Sequence, residues 1–206
     1  MNGEVIFQII ILVFSVIIHE VSHGYCALYF GDKTAQYEGR LTLNPIKHLD
    51  WFGSVVLPLI LYLTNAGFMI GWAKPVPYNP YNLRNRSIAE PLIAFSGPLS
   101  NLFVAAIFGL IIRGLIFSGY TTSPLIVVFS FVVLINVSLA IFNLIPIPPL
   151  DGSKILFALL PINAKYKFGQ ISDKYGLIII LLIVMFLPYF MSPVIFYLFR
   201  LLTGMH

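Results

Sequence analysis

The chain has 206 residues, a formal net charge of +4, 59% hydrophobic residues and only 10% charged ones, with a mean hydropathy of +0.92. A soluble domain carries about 25% charge, so this composition cannot cover a soluble globule, and its long apolar runs point to lipid-spanning helices. Its Lys and Arg residues sit mostly in the loops between those runs, a topology pattern rather than a clustered nucleic-acid surface, and the single cysteine, Cys26, excludes an internal disulfide and reads as a small buried apolar residue.

In chain order, the first apolar run is Val5 to Phe30, closed by Gly31-Asp32. It lacks a basic leader and runs on through His-Glu without a small-residue cleavage site, so it is expected to be a retained helix rather than a signal peptide. Gly31 to Asp50 is the most polar stretch; Thr34–Tyr37 and Arg40–Leu43 around Glu38-Gly39 predict two short strands and a turn. The second run, Trp51 to Trp72, is interrupted at Pro58 and at Thr64-Asn65-Ala66-Gly67, and Pro75 and Pro77 keep the piece after it out of regular helix. The third run, Ile88 to Phe117, carries Gly97-Pro-Leu-Ser-Asn101 near its start. The fourth, Pro124 to Ile145, breaks at Pro146-Ile-Pro148-Pro149-Leu-Asp151-Gly152. Lys154 to Lys174 reads as an amphipathic basic surface segment, and Tyr175 to Leu202, with Pro188 and Pro193, as either one kinked helix or a hairpin. No internal repeat or linker divides the chain. The expectation is an all-α polytopic membrane protein of one domain, residues 1–206, with about four to six membrane-embedded helices, one re-entrant segment and a small strand-containing loop.

The first run contains His19-Glu20-Val21-Ser22-His23, an HExxH sequence on a helix. Residues i and i+4 share a face, so both imidazoles reach one ion, while Glu20, about 100° around, sits beside the metal without ligating it. That is where a general base for a metal-activated water belongs. His19 lies about 21 Å past Val5 along a helix, a depth at which two histidines and a glutamate are costly unless they serve a site. Two histidines leave zinc one protein ligand short of a catalytic set. Asp151 follows the proline break where the fourth run stops being regular, and such backbone is tolerated only around a protein-lined or wet cavity. On spacing alone Asp151 is equally a third ligand or the cap of a helix opening at Gly152. Asn101 and Asn136 are assigned to interhelical hydrogen bonding, and His48 and Asp50 to an interfacial polar role.

The ordered set His19–His23, Gly97-Pro-Leu-Ser-Asn101 and Asn143-Leu-Ile-Pro-Ile-Pro-Pro-Leu-Asp151-Gly152 resembles the site-2 protease family of intramembrane zinc metalloproteases. Gly71-Trp-Ala-Lys-Pro-Val-Pro77 is similar to the short bacterial-type members without a PDZ domain. The resemblance spans roughly residues 5 to 155 and is more specific than HExxH alone. It implies one zinc held by His19, His23 and Asp151, water activated by Glu20, and a role for Asn143, whose amide can donate to the oxyanion of a tetrahedral intermediate. It also implies substrates that are transmembrane-helix proteins, cut within or near the bilayer.

A third ligand at Asp151 constrains topology. If the second run crossed the membrane, Asp151 would lie at the wrong end of the first helix for His19 and His23. A re-entrant second run turning near Thr64 to Gly67 removes the conflict. It also collects Lys33, Arg40, Lys47, Lys74, Arg84, Arg86, Lys154, Lys165, Lys167 and Lys174 on one side, opposite the uncharged turn Ser118 to Ser123. The positive-inside rule then predicts an integral protein of the cell membrane, its site toward the cytoplasm and its N-terminus outside. The Thr34–Thr42 piece is expected to pair with an unwound substrate by strand addition. The competing functions are a membrane transporter, which predicts inverted repeats that are not found, and a non-catalytic zinc-binding adaptor, in which Glu20 has no task and zinc is normally closed by four protein ligands.

Overall fold

Helix α1, Gly3–Tyr29, is about 40 Å long at 1.5 Å per residue, more than the roughly 30 Å hydrocarbon core of a bilayer. The computed structural model describes residues 3–56, 60, 63–64 and 73–205. Gly31, at φ +103°, terminates α1 as its amide turns back to the Leu28 carbonyl, a conformation open to glycine and strained for other residues. A single turn, α2, Thr34–Tyr37, follows. The third run becomes α3, Arg86–Phe117, and Gly119 at φ +84° ends it with the Gly119 and Tyr120 amides bonded back to Ile116 and Leu115. Ser123 caps α4, Pro124–Asn143, through its side chain to the Leu125 amide, with Pro124 at the first helical position. After the proline-rich break come α5, Asp151–Leu159, and α6, Ile162–Thr203.

Among the described residues three helices are long and apolar enough to cross a membrane, over Glu4–Tyr29, Arg86–Phe117 and Pro124–Asn143, and the Tyr189–Thr203 end of α6 is a shorter apolar helix. The protein is therefore a largely helical membrane protein. α3 is the organising helix and packs against α1, α4, α5 and α6. Its buried stripe, Ala89, Ile93, Gly97, Asn101, Ala105 and Gly109, repeats every four residues, which keeps one face narrow and lets neighbouring backbones close in. At one end, Ala105 and Ile112 pack with Ile126, Val133 and Val137 of α4. There Arg113 donates to the Leu201 and Leu202 carbonyls at the end of α6. At the other end Ala27, Leu83, Ala89 and Ile93 form a second cluster. Exposed aromatics stand at both ends of the bundle, Tyr29, Tyr37 and Tyr81 at one and Phe117 and Tyr120 at the other, as interfacial belts do.

The polar segments gather beside the second cluster. Asp32 is buried and accepts from the Thr34 hydroxyl, the Thr34 and Asn79 amides and the Asn82 side chain. Buried Arg40 donates to the carbonyls of Lys47, Lys74 and Pro75. These two side chains tie residues 32–48 to residues 74–82.

Two expectations change and one open alternative is settled. The strands expected at Thr34–Tyr37 and Arg40–Leu43 do not form: the first is helical, and the Arg40 amide that follows donates a hydrogen bond back to the Ala35 carbonyl. Among the described residues there is no strand, only an isolated bridge between Leu49 and Ala73, so the pairing edge assigned to Thr34–Thr42 is absent. The Lys154–Lys174 segment is two pieces, because Pro161 separates α5 from α6. The last run is one helix rather than a hairpin. In the second run Trp51–Val56 forms a π-helical turn; the expected re-entrant turn lies outside the described residues.

Candidate metal centre

Ser15, His19 and His23 are stacked one turn apart on the inner face of α1, all buried. Opposite them Asp151 opens α5, where its carboxylate favours the positive helix N-terminus. The His19 Nε2 and Asp151 Oδ2 atoms are 3.0 Å apart, His23 Nε2 and Asp151 Oδ2 3.1 Å, and the two Nε2 atoms 3.1 Å. Among the described residues these three form the one group of His, Cys, Asp or Glu side chains able to hold a metal together. Four-coordinate zinc with bonds of about 2.0–2.1 Å has ligands roughly 3.3 Å apart, close to this triangle.

The outer ring nitrogens decide what the inner ones carry. His23 Nδ1 lies 2.6 Å from the Ile93 carbonyl, which can only accept, so Nδ1 holds the proton. His19 Nδ1 lies 2.6 Å from Asn101 Oδ1, and the Asn101 amide nitrogen is already turned to the Ser15 carbonyl, so this Nδ1 is protonated too. In the neutral rings both Nε2 atoms are bare, and with a carboxylate oxygen they put three lone pairs on one point. Three acceptors at this range repel unless a cation lies among them. The residues therefore fit a zinc ion.

Gly97 keeps the space open. A Cβ there would lie 2.5 Å from His23 Nε2 and 2.6 Å from His19 Nε2. Gly152 is similarly confined, its would-be Cβ 2.2 Å from the Leu144 carbonyl oxygen; this close approach lets α5 turn back on the end of α4 and set Asp151 against α1.

Glu20 stands beside the triad and accepts from the Val76 amide at 3.0 Å. The extended segment carrying Val76 crosses α1 at Gly24, where a Cβ would meet Val76 Cγ1 at 2.7 Å and Leu41 Cδ2 at 2.5 Å. Arg40 clamps the two preceding carbonyls. Lys154 Nζ is 3.7 Å from the other Asp151 oxygen and 5.7 Å from the Tyr78 ring centre. Asn143 is half-buried at the end of α4 and donates to the Leu139 carbonyl of its own helix at 3.0 Å. His48 stands apart, buried, its Nε2 on the Thr42 carbonyl at 2.8 Å. The structure thus gathers His19, His23 and Asp151 with Glu20 alongside, and gives Asn143 a partner within its own helix. Asn101 and Asn136 do bond between helices, as expected, but Asn101 also holds a triad imidazole. Its place one turn after Gly97 was the available signal.

The model for "Peptidase family M50" matches residues 116–187. The Bacillus subtilis protein named "Putative zinc metalloprotease YwhC" is 39% identical over 182 residues, covering 86% of this chain and 79% of the relative. Rip2 of Mycolicibacterium smegmatis, named in the same form, is 34% identical over 143 residues, 67% of this chain and 51% of Rip2. MJ0611 of Methanocaldococcus jannaschii, again so named, is 34% identical over 106 residues, 52% of each chain. The chain thus spans about half the length of these last two relatives. No solved structure matches.

Proposed function

Because the chain belongs to peptidase family M50, the site-2 type of zinc metalloprotease, we propose that it hydrolyses peptide bonds within or near the transmembrane helices of membrane-protein substrates. His19, His23 and Asp151 are the zinc ligands in this reading. The observation that carries it is the convergence of three lone pairs at separations of 3.0 to 3.1 Å, with both imidazole protons held on the far nitrogens.

When bound, zinc supplies Lewis acidity at the scissile carbonyl and at the attacking water. Glu20 takes the water proton and returns it to the leaving amine. The Val76 amide fixes one Glu20 oxygen and leaves the other for the proton. Asn143 has a second amide hydrogen beyond the one given to Leu139, and this hydrogen stabilises the oxyanion. A helical substrate presents no free carbonyl, so it must unwind before reaching the site. Substitution of Glu20 by Gln leaves zinc bound and lowers cleavage of a model transmembrane substrate by at least about 10²-fold; a Glu20→Gln protein of native activity would exclude this mechanism.

The site faces the cytoplasm of the cell membrane in this reading. Ten of the twelve Lys and Arg residues lie in segments at the Asp32–Arg40 end or in α5 and the first part of α6. The other two, Arg113 and Arg200, lie toward the end where α3 and α6 finish.

A further inference from the structure

The hydrogen bonds behind His19 form a chain whose direction is set from one end. The Val132 carbonyl can only accept, so the Asn136 atom at 2.9 Å from it is the amide nitrogen. That nitrogen also donates to Ser15 Oγ at 2.9 Å. The Asn136 oxygen therefore faces Asn101 and accepts from its amide nitrogen at 2.8 Å. Asn101 gives its other hydrogen to the Ser15 carbonyl at 3.2 Å. Both Asn101 donors are then spent, and its oxygen is left for His19 Nδ1 at 2.6 Å. Asn101 and Asn136 are fully buried and Ser15 nearly so, so no water competes for these groups and reversing either amide sets like groups against each other.

We propose that Asn101 and Asn136 are positioning residues for the metal: through Ser15 and the Val132 carbonyl they lock His19 with its proton on Nδ1 and its Nε2 lone pair turned to the ion. This rests on the assignment of His19 as a zinc ligand. Asn136 bonds Asn101, Ser15 and the Val132 carbonyl and no member of the triad, yet it sets zinc affinity.

The test is zinc affinity, measured by competition with a fluorescent chelator on the purified full chain in detergent, beside thermal stability of the same samples. Asn101→Leu removes the acceptor and weakens zinc binding by about 10- to 100-fold. Asn136→Leu leaves Asn101 held only by Ser15 and weakens binding by about threefold or more, less than the roughly 10- to 100-fold expected for the direct partner because Asn136 acts through Asn101. Asn101→Asp restores the acceptor for His19 but sets a carboxylate against the Ser15 carbonyl and the Asn136 oxygen. It binds zinc more tightly than Asn101→Leu while melting lower. A merely structural role requires affinity to follow melting temperature across the three variants, so this crossing of the two rankings is the diagnostic result. Wild-type affinity in Asn101→Leu, or affinities that follow the melting temperatures, overturns the proposal. If Asn101→Leu does not fold, Asn136→Leu decides alone: unchanged affinity overturns the proposal and a loss at native melting temperature supports it. A His19→Ala protein that still binds zinc like the wild type would instead overturn the ligand assignment beneath it.

Discussion

Gly97→Ala places one methyl group against the two imidazole nitrogens proposed to hold the metal. The added Cβ would sit 2.5 Å from His23 Cε1 and Nε2 and 2.6 Å from His19 Nε2, about 1 Å inside the roughly 3.5 Å of a comfortable non-bonded contact. Neither ring can yield freely, because each is held from behind at 2.6 Å, His19 by Asn101 and His23 by the Ile93 carbonyl. Relief must come from moving an Nε2 or from spreading α3 and α1. A metal site tolerates ligand displacements of only about 0.2 Å, so zinc is lost even if the strain is shared. The fold suffers less. Alanine is better than glycine in a helix interior by roughly 1 kcal/mol, which offsets part of an overpacking cost of about 1–3 kcal/mol. The expected protein is folded, within about 2 kcal/mol of native stability, with zinc content well below one ion per chain and at least about 10²-fold less cleavage of a transmembrane substrate. Elemental analysis of the purified protein and a cleavage assay measure both. Stoichiometric zinc at native affinity in Gly97→Ala would refute the argument that this glycine keeps the metal's space.

Three further outcomes are expected. Asn143→Ala lowers kcat by about 10²–10³-fold with KM little changed, and a native kcat rules out the oxyanion role. For Asp32, burial pushes the carboxyl upward, but hydrogen bonds from Thr34, Asn82 and the Asn79 and Thr34 amides outweigh it and hold it below the usual carboxylate range. Its folded pKa therefore lies below the unfolded value of about 3.9, so its contribution is complete above about pH 5 and is lost as pH falls through the folded value. Asp32→Asn should melt lower than wild type near pH 7 and lose less between pH 5 and pH 3; parallel melting curves across that range contradict this. Topology is read by membrane-impermeant thiol labelling: a cysteine at Thr122 reacts from outside intact cells and one at Gln36 only after permeabilisation, and the reverse pattern rejects a cytoplasm-facing site.

Much of this protein is legible before any coordinates, for a definite reason. Lipid exposure demands long uninterrupted apolar helices, so α1, α3 and α4 stand in the sequence within a few residues of their ends. The i, i+4 spacing of His19 and His23 is a property of one helix and needs no tertiary information. The expectation failed where the signal was short and amphipathic. Thr34–Tyr37 is one helical turn, opened by Asp32 accepting from the Thr34 amide and hydroxyl and closed by the Arg40 amide on the Ala35 carbonyl, contacts that alternation of residue types cannot report.

Only the fold decided Asp151. Spacing left it open between ligand and cap; in the fold Leu150 holds the cap position, and Asp151, the first residue of α5, faces both histidines at 3.0 and 3.1 Å, where it could hold a metal with them. The residues behind His19 were hidden for the same reason. Asn101 and Asn136 lie 82 and 117 positions beyond it in the chain, and their meaning comes from which atom of each amide faces which carbonyl. The chemistry of the site is thus local and readable from residue types, whereas the proton that orients it is fixed by three helices meeting around one buried row of polar groups.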